Sequence, residues 1–447
     1  MKTKRIIIIL VALLVVSAGI RINSLLPVIT GYAAKNLASG VFVAGRSQES
    51  LEKEDLAFSV IRYTSNKVDF KKKEVISRFL WGKSRAIYTD GYGCTLINGF
   101  SDEEIRQRPY ARVASVPGRP DTIRWPAGDL LTDTIPAGID LQRLKPVVNR
   151  IMTDTLPFKG TFALMILYKG YPVAEEYRGD FDRDTRFLSW SMAKSVTSAL
   201  VGLRVKDGKL DIYSPCGLPE WQHDERSDIT LNHLLHMNSG LEWNEDYGNL
   251  SDVTIMLHKE GDMAGYTAAK KPEAPAGEHW EYSSGTTNLV SLLLRRSFTS
   301  DYEYFAYPRQ ALFNPLGMKS AVFEADASGT FVGSSYLYAT MRDYARFALL
   351  YLNQGNWMGE QILPNEWVNY TVSPAEGSDG KYGAFFWLNS SGDQPDAPRD
   401  MYMCKGHDGQ YIFIIPSRQL IVIRTGYSKQ DEFDTNRMLK EILDCLE

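Results

Sequence analysis

The stretch Phe187-Leu188-Ser189-Trp190-Ser191-Met192-Ala193-Lys194-Ser195-Val196 decides how the rest of the chain is read. After it, Val196, Leu200 and Leu203 recur at helical spacing and Asp207-Gly208 supplies a stop, so the spacing predicts a helix that starts beside Ser191. Positions three apart on a helix share one face. The Ser191 hydroxyl and the Lys194 amine are therefore expected to meet in the first turn. That turn carries unpaired N–H groups and positive partial charge. Both suit a nucleophile that develops negative charge. Both also favour the neutral amine, so Lys194 is placed to accept a proton near neutral pH. A helix start with a solvated lysine would show the same four residues, so the weight falls on the remainder of the chain.

Working outward, the segment over 115–129 holds Pro117, Pro120 and Pro126 with Gly118 and Gly128, which is linker composition. A main domain is expected over 130–447. Within it, 139–152 reads as an amphipathic helix, with Pro146 a kink point. Segments 161–168 and 173–177 read as a hairpin around Lys169-Gly170. Helices are expected over 230–237, 284–298, 340–353 and 434–446. Strands are expected over 382–388, 411–415 and 420–425, the last two joined by Pro416-Ser417-Arg418-Gln419. Strands at both ends with helices between imply α+β architecture: one antiparallel sheet flanked by helices, plus a helical subdomain.

Residues 25–115 read as an amino-terminal extension of mixed character, with short strands over 38–43 and 94–97 and no catalytic constellation. Residues 1–20 stand apart. Lys2, Lys4 and Arg5 precede an apolar run over 6–16, then Ser17-Ala18-Gly19. That is the layout of an export signal, and it leaves cleavage and retention as an anchor equally open. The expected location is outside the cytoplasm, periplasmic or anchored to the membrane. A chain of 447 residues with net charge −4 has no electrostatic footprint for nucleic acid. Cys94, Cys216, Cys404 and Cys445 are too scattered for a zinc site, and no metal or cofactor is expected.

A serine nucleophile needs a proton carrier and donors for an oxyanion. Two stretches offer them. In Trp280-Glu281-Tyr282-Ser283-Ser284-Gly285, Tyr282 sits just before a helix start; beside a lysine cation its phenol pKa is expected to fall. In Lys405-Gly406-His407-Asp408-Gly409-Gln410, glycines let the backbone approach a ligand, and the Gln410 N–H can face the Ser191 N–H across an oxyanion. His407 is the rival base. Read as strand neighbours, His407 and Asp408 point to opposite faces, which argues against a Ser/His/Asp triad and for His407 as a pocket-lining donor.

Ser191-Met192-Ala193-Lys194, Tyr282-Ser283-Ser284 and His407-Asp408-Gly409, in this order, resemble the serine β-lactamase and penicillin-binding-protein superfamily, in its class C-type branch of esterases, D-aminopeptidases and 6-aminohexanoate-dimer hydrolases. Asn238-Ser239-Gly240-Leu241-Glu242-Trp243 adds to the likeness. The resemblance implies an acyl-enzyme on Ser191, Lys194 as its proton partner, and Tyr282 as base and then acid. It also implies an oxyanion hole from the Ser191 and Gln410 N–H groups, and substrate contacts from Ser284, His407 and Gly409. Ser284 stands where β-lactamases of this class have asparagine, and His407-Asp408-Gly409 replaces Lys-Thr-Gly. A small-molecule amide or ester is therefore the expected substrate rather than a β-lactam. A D,D-peptidase and a non-catalytic binder of cell-wall fragments are the alternatives.

Overall fold

The computed structural model describes residues 2–114, 120–154, 160–428 and 432–447. Of the linker expected over 115–129, residues 115–119 lie outside them.

The chain opens with one long helix, α1 (Lys2–Phe42), followed by four short strands: β1 (Ser65–Asp69), β2 (Glu74–Phe79), β3 (Gly82–Thr89) and β4 (Gly93–Leu96). They form an antiparallel sheet in the order β1-β2-β3-β4. The strand expected over 38–43 is instead the end of α1: Leu37, Ala38 and Val41 recur at helical spacing and pack with Val75, Ala86 and Leu96 of the sheet. The charged segment over 67–85 runs through three of these strands and alternates as half-buried strands do. In β2, Val75 and Ser77 point inward and Arg78 outward.

The extension is fastened to the rest of the chain by a buried ion pair between Lys35 and Glu324. Glu324 also accepts from Ser39 Oγ at 2.8 Å and from the Cys94 backbone N–H at 2.6 Å. Thr30 Oγ1 meets Ser84 Oγ at 2.7 Å. Gly31 passes so close to the His258 carbonyl that a Cβ there would lie 1.9 Å from it. The extension is thus continuous packing with the main domain rather than an appendage.

The main domain is built on a six-stranded antiparallel sheet from both ends of its sequence. Its elements are α2 (Leu141–Thr153), β5 (Gly160–Tyr168), β6 (Tyr171–Tyr177), α3 (Ala193–Lys206), α4 (Ser284–Arg296), α5 (Met341–Leu352), β7 (Trp387–Leu388), β8 (Tyr402–Gly406), β9 (Gln410–Ile415), β10 (Leu420–Tyr427) and α6 (Thr435–Leu443). The strand order is β7-β8-β9-β10-β5-β6, every neighbour antiparallel. In β5, Leu164 and Ile166 face Leu144, Val148, Leu439 and Ile442 of α2 and α6. Ala163, Met165 and Leu167 face the opposite layer, with Val196 and Leu200 of α3 and Phe347 of α5. Both faces are covered, so the strand reads as a continuous apolar run rather than an alternation.

Caps fix the helix starts. Asp140 accepts from the Gln142 and Arg143 N–H groups at 2.9 and 3.1 Å, and Thr340 and Asp434 cap α5 and α6 in the same way. α2 runs through Pro146, which sits inside the helix without ending it. The strand expected over 382–388 is mostly a fold-back. Phe385 takes a left-handed backbone (φ 68°), Gly383 N–H donates to Phe386 O, and only Trp387–Leu388 pairs with β8. All four cysteines are free thiols. Among the described residues no helix is long and apolar enough to cross a membrane.

Candidate active site

Ser191 is presented by a kink. Phe187 and Leu188 pair with Ala339 and Tyr338, and Ser189 N–H donates to Leu337 O at 2.8 Å. Trp190 then adopts a left-handed backbone (φ 45°), a conformation that costs a non-glycine residue about 1–3 kcal/mol. Its indole packs edge-on against His407 and at a tilt against Tyr336, contacts that hold the turn in place. Ser191 therefore lies in a tight turn, Trp190–Met192, that runs straight into α3.

Lys194, on the first turn of α3, is 1% exposed. Its Nζ lies 3.0 Å from Ser191 Oγ, 3.0 Å from Ser284 Oγ and 3.1 Å from Ser334 O. Three acceptors satisfy an ammonium, and a neutral amine keeps two of them while its lone pair faces the Ser191 proton. Burial lowers the Lys194 pKa to about 8, against the pull of Glu245, which raises it. The helix start thus brings serine and lysine together as the three-residue spacing predicts.

Tyr282 closes the third side. Its hydroxyl hydrogen-bonds with Ser191 and with the Trp387 side chain, and its ring lies under Lys194, 4.8 Å from Nζ to the ring centre. The phenol pKa is raised, first by burial and then by the Glu245 charge. That reverses the expectation of a lowered value: the nearby carboxylate and the loss of water outweigh the lysine cation. Tyr282 is a neutral phenol at neutral pH.

Glu245 has no counterpart in the sequence reading. It accepts from the Ser284 hydroxyl, from the Ser284 backbone N–H at 2.9 Å and from the Trp243 indole N–H. Ser284 in turn accepts from Lys194. A hydrogen-bonded line therefore runs from Lys194 through Ser284 to a carboxylate. Ser284 is fully buried and sits behind Lys194, away from the cavity wall where a substrate contact was expected. One glutamate in a loop carries no signal of its own; only the fold places it beside the helix start of α4.

Ser191, Tyr282 and Glu245 open onto a cavity of about 300 Å³, lined further by Tyr247, Trp387, Lys405, His407, Gly409 and Tyr411; Lys194 lies behind them. His407 and Asp408 are not strand neighbours. They form a tight turn in which Asp408 has φ 59°, and Asp408 Oδ1 lies 3.2 Å from His407 Nε2. The opposite-faces argument fails because the strand starts only at Gln410. His407 stacks on Tyr247 at 4.2 Å, and the Ser191 hydroxyl engages Lys194 and Tyr282. The Gln410 side chain is turned into the protein, where Nε2 donates to Gly426 O at 2.6 Å and Oε1 accepts from Gly426 N–H at 3.1 Å. That bracing fixes the backbone at the start of β9.

A larger cavity, about 770 Å³, lies between the extension and the main domain, lined by Tyr92, Arg108, Phe305 and Arg309 among others. It holds no nucleophile–base pair, so the smaller cavity is the candidate. Among the described residues no group of three or more His, Cys, Asp or Glu is placed to hold a metal ion.

The family model for beta-lactamase matches residues 159–443. A 6-aminohexanoate-dimer hydrolase of Paenarthrobacter ureafaciens is 24% identical over 48% of this chain, and the chain spans 57% of that relative's length. Among solved structures, a protein described as a 6-aminohexanoate-dimer hydrolase from Bacillus anthracis aligns with TM-score 0.57 at 19% identity, covering 76% of this chain and 92% of the other. A penicillin-binding-protein homologue from Caulobacter crescentus aligns with TM-score 0.54 at 15% identity, covering 70% and 100%. These likenesses at low identity establish the fold, and the family model covers well over half of the residues. The chain belongs to the beta-lactamase family of serine hydrolases.

Proposed function

We propose that the protein hydrolyses a small amide or ester through an acyl-enzyme on Ser191. The observation that carries this is the Ser191 hydroxyl held at once by Lys194 and Tyr282 at the floor of an open cavity. Neutral Lys194 takes the hydroxyl proton as Ser191 Oγ bonds to the substrate carbonyl carbon. The carbonyl oxygen becomes an oxyanion facing the Ser191 and Gln410 backbone N–H groups. As the tetrahedral centre collapses, the bond to the leaving amine or alcohol breaks. Tyr282 donates its proton to that group and is reprotonated from Lys194. Water then attacks the acyl carbon, giving a proton to the same pair; as the second tetrahedral centre collapses the bond to Ser191 Oγ breaks, the pair returns that proton to Oγ, and the acid is released.

His407, stacked on Tyr247, and the rings of Trp387 and Tyr411 make an aromatic stretch of wall that suits an extended acyl chain, beside the charged Glu245, Lys405 and Asp408. The likeness to a 6-aminohexanoate-dimer hydrolase supports a linear amide over a β-lactam. The test is a panel of chromogenic esters, linear amides and D-amino acid peptides. Turnover of an ester or amide that Ser191→Ala abolishes supports the proposal; full turnover by Ser191→Ala refutes it.

A further inference from the structure

The apolar run at the amino terminus plays no part in this chemistry. It belongs to a single helix whose two halves meet different surroundings. From Leu26 onward, α1 is core: Leu26 lies beneath Gly82, Ala33 and Leu37 are fully buried, and Lys35 pairs with Glu324. Before that point Ile6, Leu10, Leu13 and Ile20 are each more than half exposed. Where the helix leaves the fold, the turn between β2 and β3 sets Leu80 and Trp81 beside it, 65% and 64% exposed. Trp81 Nε1 donates to Asn23 Oδ1 at 3.2 Å, so the turn is tied to the helix at the level where it emerges. At the far end the sequence places Lys2, Lys4 and Arg5.

We propose that residues 6–20 of α1, with the Leu80–Trp81 turn, form a surface that inserts into a lipid bilayer. Water is a poor solvent for exposed apolar side chains of this kind, and large exposed apolar patches mark interaction sites. The charge pattern selects the partner. A basic end suits anionic headgroups, and a tryptophan at the exit level is the residue that settles at a membrane interface. Fifteen residues rise about 22 Å, short of the ~30 Å hydrocarbon core, so the segment embeds rather than bridges both leaflets. The small residues Ser17-Ala18-Gly19 lie inside its continuous run, about one turn from the Asn23 contact. The inference does not depend on the serine chemistry.

The test is flotation of the full chain with phosphatidylcholine–phosphatidylglycerol vesicles, beside the full-chain variants L10K/L13K and L80S/W81S. Both variants spare the buried half of α1, and the thermal unfolding transition followed by circular dichroism checks that they fold. The wild type is expected to float. L10K/L13K lowers the floating fraction at least tenfold and L80S/W81S several-fold, with the unfolding transition unchanged. The intact mass of the membrane-fraction protein includes residues 2–20. Wild type that stays at the bottom, variants that float equally, a mass truncated near Ala18, or helix-dependent self-association without flotation each overturns the proposal.

Discussion

Glu245→Gln isolates the line from Lys194 through Ser284 to the carboxylate. In the native site, burial lowers the Lys194 pKa to about 8 and the Glu245 charge holds it from falling further. Two unit charges 4 Å apart interact by about 4 kcal/mol at an effective dielectric of about 20. With one serine hydroxyl between them the interaction drops to roughly 2–3 kcal/mol, or about two pKa units. Glutamine keeps the shape and one acceptor but removes the charge. The ammonium loses its stabilising partner, so its pKa falls from about 8 toward about 6. If neutral Lys194 is the base, kcat/KM for a chromogenic ester rises with pH through about 8 in the wild type and through about 6 in E245Q. At pH 6.5 the variant then retains a larger share of its own plateau than the wild type does. The shape of the profile is the readout, because a general loss of fold lowers the plateau without moving the limb. An acidic limb that stays near 8, or moves upward, refutes the assignment of Lys194 as base and Glu245 as the charge that tunes it.

Tyr282→Phe removes the proton donor to the leaving group and is expected to lower kcat for amides by about 10²–10⁴-fold, and for activated esters by less; a profile unchanged for amides refutes it. His407→Ala is expected to change KM more than kcat, since His407 lines the wall; abolished acylation in H407A with acylation intact in Y282F would reverse the roles. Lys35→Ala leaves Glu324 buried without its cation and is expected to cost about 3–5 kcal/mol, while K35M/E324M recovers most of it; chemical denaturation of both reads the difference, and a K35A loss under 1 kcal/mol contradicts the fastening role of that pair.

The candidate constellation was legible because each of its parts carries a local signal. A three-residue spacing on a helix start needs no tertiary information, and Tyr282 announces itself by the helix that begins two residues later. The glycines around His407 marked the approach of a backbone, but the turn itself was misread: a left-handed Asp408 brings its carboxylate to His407, and no single-residue pattern signals that conformation in advance. Glu245 was invisible for a different reason. It reaches Ser284 from 39 positions earlier in the chain, so its role exists only in the folded chain. The extension was the least legible part. Its apolar helix shares one run of sequence with the exposed amino terminus, and strands carrying Lys67, Arg78, Lys83 and Arg85 look like a solvated segment until their inward residues find α1.

The most direct test of the central claim is to react the wild-type protein with a fluorophosphonate or a slowly deacylated ester and locate the adduct by peptide mass spectrometry. One equivalent on Ser191, lost in Ser191→Ala and formed faster as pH rises through about 8, is the expected result. Turnover of the same ester with no adduct on Ser191, or with the adduct on another residue, would contradict it.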